Sequence, residues 1–366
     1  MSTTSPPRRT APLPLSRKLL FSAVVLVAVL GGLETLARLL VPPRDARIHL
    51  EHENMITVLG LEQLNRTMVF DPDLFWRLAD ELRDVRVTGN VRGNVLDFRV
   101  TAHDGLRSPP VAESRPALRV LALGDSCTFG IGVENDETWP AVLETALAAA
   151  GLDAEVINAG VPGYSAYQGL RFLETRGRAL RPDVLVVSFG FNDRDLWSSR
   201  SDLETAASLQ LAPWETLALR SRLVVGLRRW LRADVPDAPP DGSEASASAP
   251  AAGEASPAVR VGTTPRLSPR EFYDALGSMK RIADELGARL VLVGWPYRSQ
   301  VDQGIREAVR YQIVMERLAR DARVPMVHLA PPFIDAGAPL FVDHVHANAE
   351  GHRVAARAIE PWVTPR

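Results

Sequence analysis

Four short stretches hold the residue types that could do covalent chemistry: VLALGDSCTFGIGV (120–133), NAGVPGYS (158–165), GFND (190–193) and DHVHANAEGH (343–352). In the first, an apolar run stops at Gly124-Asp125-Ser126. Turns favour these residues for local reasons, so a strand end is one reading. The sharper reading is that the strand delivers Ser126 as a nucleophile. A serine hydroxyl is a weak nucleophile and needs a base, usually histidine. The histidine needs an acid that fixes its tautomer and stabilises the imidazolium. The oxyanion that forms needs donors already in place. The chain can supply each part. Ser126 is the candidate nucleophile, His346 the base and Asp343, three residues earlier, its orienting acid. The candidate donors are the Ser126 N–H, the Gly163 N–H and the Asn192 amide.

The elements that must position these residues begin at 117. Short apolar runs at 118–124, 154–160, 183–190, 289–295 and 324–330 read as buried strands. Between them, helical spacing covers 139–151, 165–180 and 268–288, a long helix is expected over 302–322, and 348–363 closes the chain. Ser268, Pro269 and Glu271 form a helix-start signature. Strands alternating with helices predict an α/β fold with a parallel sheet of about five strands covered on both faces. In such sheets the crevice lies at the carboxyl ends of the strands, where all four stretches fall.

In this order the four stretches resemble the SGNH (GDSL) hydrolase family. The resemblance covers about residues 117–366 without the insertion described below, and is nearest to the anchored bacterial subgroup with one N-terminal membrane helix. It implies a flavodoxin-like three-layer α/β/α fold. It also implies a nucleophile at Ser126, an oxyanion hole from Ser126, Gly163 and Asn192, and a C-terminal Asp343-x-x-His346 pair. Gly163 rather than Gly160 matches the family's N-x-x-x-x-G spacing. Where the family often has proline after the histidine, this chain has Ala347.

Other polar residues in the four stretches read as structural. Asp125 and Asp193 are expected to brace turns. His344 and His346 form a His-x-His pair, but no further carboxylate or cysteine stands at metal spacing, so no metal is expected. His344 reads as a surface or supporting residue, and His328 and His352 as structural. Cys127 reads as a small packing residue. Trp197, Trp295, Tyr297 and Arg298 could line a pocket, though aromatics at strand ends usually pack in the core.

The 366 residues carry a formal charge of −2, 46% hydrophobic and 23% charged residues, and one cysteine. This is ordinary globular composition with no nucleic-acid footprint, and it excludes an internal disulfide. The N-terminus is different. Arg8, Arg9, Arg17 and Lys18 precede the uncharged run 19–33, and the helical pattern continues past Glu34 and Arg38 to Val41 before Pro42-Pro43. The expectation is a cytoplasmic basic tail at 1–18 and an uncleaved transmembrane anchor at 19–41, with the remainder outside the cytoplasm. Residues 42–116 read as a small strand-containing segment that packs on the hydrolase domain, 117–366. An insertion at 196–267 interrupts that domain. It holds an arginine-rich helical pattern at 214–233 and a Pro/Ala/Ser/Gly-rich linker at about 234–260.

The expected function is a membrane-anchored serine esterase acting outside the cytoplasm without cofactor, on an acyl ester such as an acylated glycan or lipid. Two alternatives carry the same residues: an O-acyltransferase modifying a cell-surface polysaccharide, and a catalytically idle envelope scaffold.

Overall fold

The fold is built on a fully buried strand, LRVLALG, whose seven residues are all enclosed. It is described in a computed structural model, for residues 14–40, 61–91, 93–194, 201–209, 221, 223, 264–337 and 339–365. The chain divides into two units, Met1–Glu53 with Leu211–Ala249, and Asn54–Gln210 with Pro250–Arg366.

The described part of the first unit is mainly helix α1, Leu15–Leu40. Its 26 residues rise about 39 Å. Within it Ser16–Arg38 has a mean hydropathy of 2.2 and holds no buried residue, so it is long and apolar enough either to cross a membrane or to serve as a signal sequence. The helix starts four residues before the expected anchor, so Arg17 and Lys18 belong to its first turns. Glu34, the acid in this apolar helix, pairs with Arg38 at 2.7 Å and accepts from the Ser221 hydroxyl at 2.7 Å and the Leu223 N–H at 3.0 Å. Apart from Ser221 and Leu223, the arginine-rich stretch 214–233 lies outside the described residues, as do the linker and Trp197.

The second unit opens with helix α2 (Glu62–Asn65) and two antiparallel pairs: β1 (Met68–Asp71) with β2 (Phe75–Leu78), and β3 (Glu81–Val91) with β4 (Asn94–His103). The main sheet follows. Its strands are β5 (Leu118–Gly124), β6 (Ala154–Gly160), β7 (Val184–Ser188), β8 (Arg289–Gly294) and β9 (Met326–His328), all parallel, in the order β6-β5-β7-β8-β9. The helices, in chain order, are α3 (Ser126–Phe129), α4 (Trp139–Ala149), α5 (Ala166–Thr175), α6 (Asp202–Leu209), α7 (Pro269–Leu286), α8 (Arg298–Asp302), α9 (Tyr311–Ala322), α10 (Ala330–Ala336) and α11 (Ala349–Val363).

The strands' twofold pleat sorts their side chains into two cores. Leu121, Leu123, Leu185, Val187, Leu290 and Leu292 face α5, α7 and α9, in a cluster that also takes in Phe75, Trp76, Phe98 and Val100 of the antiparallel pairs. Val120, Ala122, Val184, Val186, Val291 and Val293 face α4, α10 and α11. The result is the expected three-layer α/β/α fold.

One expected element is corrected. Of the helix expected over 302–322 only the second part forms, as α9; α8 ends at Asp302, and the stretch between the two is irregular. Gly304 and Arg310 take left-handed φ values of 67° and 53°. The Gln300 amide donates to the Glu307 carbonyl at 2.9 Å and the Gln312 amide oxygen accepts the Val309 N–H at 2.9 Å. Side-chain bonds thus satisfy backbone groups that a continuous helix would have paired.

Candidate active site

In this sheet the first strand, β5, has β6 on one side and β7 on the other, so the chain reverses its winding at β5. Ligands bind outside the carboxyl ends of strands at such a switch point. Ser126 leaves β5 there, and Asn192 leaves β7 beside it.

The turn that presents Ser126 depends on Gly124. A Cβ at Gly124 would lie 2.1 Å from Thr128 Oγ1 and 2.8 Å from the Ser188 carbonyl oxygen, so only glycine lets α3 fold back on the strand. Asp125 caps α3, its carboxylate accepting the Cys127 N–H at 2.9 Å. Burial pushes the Asp125 carboxyl up to about 6 against the pull of that bond. Gly130, at φ 89°, ends the helix. Ser126 is the first residue of α3, so its N–H has no carbonyl in the preceding turn.

His346 arrives from a tight loop closed by the Phe341–Ala347 bridge. The buried Asp343 organises the loop: one oxygen accepts the Val345 and His346 N–H groups at 2.8 and 2.7 Å, and the other meets His346 Nδ1 at 2.7 Å. His346 Nε2 lies 2.8 Å from Ser126 Oγ, across 220 residues of sequence. The three side chains form one hydrogen-bonded line. Burial alone would raise the Asp343 carboxyl, but the His346 ring and the two backbone donors outweigh it and hold the group well below the usual carboxylate range. The Val345 carbonyl accepts the Trp295 indole N–H at 2.9 Å and the Cys127 thiol at 3.8 Å, tying the loop to the end of β8 and to α3. Burial pushes the Cys127 thiol up, as expected of a packing residue.

The candidate oxyanion donors come together at the same end. The turn after β6 is pinned beside β5 by the Val161 N–H on the Gly124 carbonyl, at 3.2 Å, and closes with the Tyr164 N–H on the Val161 carbonyl. Its third position, Gly163, has φ 78°, which a side chain would disfavour. Neither the Ser126 nor the Gly163 N–H has an acceptor among the described residues. The Asn192 amide is already engaged, on the Tyr164 carbonyl at 3.0 Å and on Asp125 at 3.3 Å. Gly160 serves packing instead, since a Cβ there would meet the Phe129 nitrogen at 2.2 Å; its bare backbone lets α3 settle on β6. Asp193 braces the turn, accepting the Ala166 and Gly190 N–H groups at 2.7 and 2.8 Å, with its carboxyl raised to about 7 by burial. His352 is structural, its Nδ1 accepting the Trp139 N–H at 3.1 Å, and burial depresses its pKa to about 3. His344 is partly exposed, 3.7 Å from Asp343 and against the Phe191 ring.

Three supporting residues carry no sequence signal. Arg266 is buried, pairs with Asp202 through two bonds of 2.8 and 2.9 Å, and donates to the Gly163 carbonyl. Trp76 donates to the Pro162 carbonyl at 3.0 Å and accepts the Tyr164 hydroxyl at 2.7 Å through its own carbonyl. Together they hold the Gly163 turn. Arg107 holds the loop after α3, donating to the Phe129, Gly130 and Val133 carbonyls at 2.8, 2.6 and 2.7 Å. Burial lowers its pKa to about 9. Its partners are backbone carbonyls and the Asn135 amide oxygen, so no charge pattern could have revealed it.

Residues 122–354 match the GDSL-like lipase/acylhydrolase family. The chain is 33% identical over 82 residues to an arylesterase of Vibrio mimicus, and 30% identical over 83 residues to the esterase TesA of Pseudomonas aeruginosa. These alignments take in 22% and 23% of this chain, and the chain spans 41% of the length of each relative. Among solved structures, the acetyl xylan esterase AlAXEase is 15% identical with a TM-score of 0.42, over 68% of this chain and all of that one. LAE5, an α/β hydrolase enzyme from the metagenome of Lake Arreo, Spain, is 17% identical with a TM-score of 0.42, over 67% of this chain and 94% of its own. With the family's match running from within β5 into α11, the chain belongs to the GDSL-like lipase/acylhydrolase family.

Proposed function

We propose that the protein is a serine esterase, anchored by its N-terminal helix and acting outside the cytoplasm. The observation that carries this reading is the line Ser126 Oγ–His346 Nε2–Asp343, at 2.8 and 2.7 Å, with two backbone N–H groups free to bind charge beside it. Ser126 Oγ attacks the ester carbonyl carbon while His346 Nε2 takes its proton. Asp343 holds the Nδ1 proton and stabilises the imidazolium. The Ser126 and Gly163 N–H groups bind the tetrahedral oxyanion, joined by the Asn192 amide as it leaves Asp125. His346 returns the proton to the departing alkoxide oxygen, leaving an acyl-serine. A water molecule, deprotonated by His346, then releases the acid.

In this reading 1–18 is a cytoplasmic tail, 19–41 the anchor, 42–116 a supporting segment and 117–366 the hydrolase domain with its insertion at 196–267. The basic residues ahead of the apolar helix support the orientation. The substrate is an acyl ester, of which an acylated glycan or lipid suits a membrane-tethered enzyme. The test uses the detergent-solubilised full chain and p-nitrophenyl acetate. Turnover should vanish in Ser126→Ala; equal rates in both proteins would remove Ser126 as the nucleophile. A phosphatase reporter that is active only outside the cytoplasm, fused at the C-terminus, should be active; silence would reverse the topology.

A further inference from the structure

Beside the hydrogen-bonded line lies an open cleft lined by Phe191, Arg194, Tyr297, Arg298, Arg310 and His344. It adjoins the candidate site directly. Phe191 precedes Asn192 in sequence, and the His344 ring lies 5.4 Å from Phe191 and 6.4 Å from His346. Phe191 and Tyr297, with ring centroids 5.7 Å apart, form an aromatic floor. Two cations gather on that floor. The Arg194 guanidinium lies 5.4 Å from the Phe191 centroid and 5.7 Å from that of Tyr297, and the Arg310 guanidinium lies 4.7 Å from Tyr297.

The charges here are not balanced by carboxylates as many of the domain's arginines are. Arg77, Arg86, Arg119, Arg171, Arg176, Arg266 and Arg306 each pair with a carboxylate. Among the described residues neither Arg194 nor Arg310 does, and Arg194 Nε is buried without a hydrogen-bond partner. The acid that lines the cleft, Asp302, belongs to Arg298, at 3.4 Å. Arg310 also holds a backbone conformation unfavourable for a side chain, with φ 53° and ψ −124°, at the start of α9. Such strain clusters at sites where function requires a side chain in a set place. Two like charges converging on one ring repel each other, and an anion between them would reverse the sign. The guanidinium fork matches the oxygens of carboxylate or phosphate, and the rings exclude water beneath it.

We propose that this cleft is an anion subsite of the same active site, and that the preferred substrates are esters carrying a carboxylate or phosphate a few atoms from the scissile carbonyl. The inference rests on Ser126 as nucleophile. Its experiment uses the detergent-solubilised full chain and compares kcat/KM for three acetate esters: methyl 4-acetoxybenzoate, which is neutral at this position, 4-acetoxybenzoate and 4-acetoxyphenyl phosphate. At least one anionic ester should be favoured about tenfold or more over the neutral one, and the preference should fall as salt is raised. The carboxylate and phosphate arms tell which oxyanion the cleft takes. In Arg194→Gln and Arg310→Gln the ratio of anionic to neutral kcat/KM should drop about tenfold, mainly through KM, and Arg310→Lys should retain part of it. Because the readout is a ratio within one sample, partial loss of folded protein cancels. Ser126-dependent hydrolysis with no anionic preference, or a preference the arginine variants leave intact, overturns the subsite while sparing the esterase. Absence of Ser126-dependent turnover with all three esters overturns the esterase reading instead.

Discussion

Arg266 stands where the return from the insertion meets the Gly163 turn, and replacing it with methionine should separate stability from catalysis. The guanidinium and its partner are both almost fully enclosed, with side chains 4% and 6% exposed. Removing the cation leaves Asp202 as a buried charge still bonded to the Ser165 hydroxyl. Breaking a buried pair in this way costs about 3–5 kcal/mol, mostly the penalty of the orphaned ion. At about 2–4 °C per kcal/mol for a domain of this scale, the midpoint of thermal unfolding should fall by roughly 6–20 °C. A second effect follows from the bond between Arg266 and the Gly163 carbonyl, because it fixes the residue whose N–H is the candidate oxyanion donor. Losing an oxyanion donor outright costs about 100–1,000-fold in kcat, so loosening one should cost about tenfold, with KM little changed. The double variant Arg266→Met/Asp202→Leu discriminates. It removes the orphaned carboxylate, so part of the lost stability should return. The turn stays untethered, so kcat should not recover. The assays are thermal unfolding in detergent followed by tryptophan fluorescence, and p-nitrophenyl acetate hydrolysis well below the unfolding transition. Loss of less than about 1 kcal/mol in the single variant, or recovery of kcat with stability in the double, would refute the reasoning.

Asp343→Asn should leave the fold intact but cut kcat about 10,000-fold, since an amide cannot fix the tautomer or stabilise the imidazolium. The folded Asp343 carboxyl ionises below its unfolded value near 4, so its stabilisation is present above that pH and lost on acidification. The stability gap between wild type and Asp343→Asn should therefore narrow below pH 4 in urea titrations, and a constant gap would contradict it. His352 runs on a different window: a base with its folded pKa near 3 binds fewer protons than the unfolded chain between pH 3 and 6.5, so it destabilises the fold as pH falls through that range. At 1.36 kcal/mol per pH unit the effect is at most about 5 kcal/mol, opposed by Asp125 and Asp193, whose raised values favour the fold on acidification. His352→Asn should shift the change in stability between pH 6 and 4 in favour of the fold relative to wild type; an unchanged slope would rule His352 out. Gly160→Ala places a methyl carbon against the Phe129 and Thr128 backbone, so it should destabilise by about 1–3 kcal/mol and lower ester hydrolysis by displacing α3.

Much of this molecule could be read from short windows. β5 and β6 have the expected limits because buried parallel strands are continuous apolar runs. Ser126, Asp343 and His346 were visible because each stands in a local pattern, a strand end or a three-residue spacing. The errors have local causes too. Helical spacing over 302–322 was interrupted by Gln300 and Gln312, whose side chains bond the intervening backbone. Asn192 was legible as a candidate donor, but not the contacts of its amide with the Tyr164 carbonyl and Asp125. Arg107, Arg266 and Trp76 were illegible for another reason: several of their key partners are backbone carbonyls far away in sequence, and a carbonyl leaves no mark in residue type.

That distinction bears on what keeps the hydrogen-bonded line aligned. His346 lies on a loop, yet the loop is fastened at both sides by the core. On one side the Val345 carbonyl takes the Trp295 indole and the Cys127 thiol. On the other, α11 follows at once and docks on α4, where His352 accepts the Trp139 N–H in a dry contact. Ser126 is fixed in the same frame, between Gly124, which no larger residue could replace, and the carbonyls held by Arg107. The 2.8 Å contact between two residues 220 positions apart is therefore set by the packing of the layer that contains α4 and α11. Rigid elements place a reacting pair to fractions of an ångström where a free loop cannot. For this reason the local motifs name the candidate residues, while the buried arginines, Trp76 and His352 hold the frame in which those residues meet.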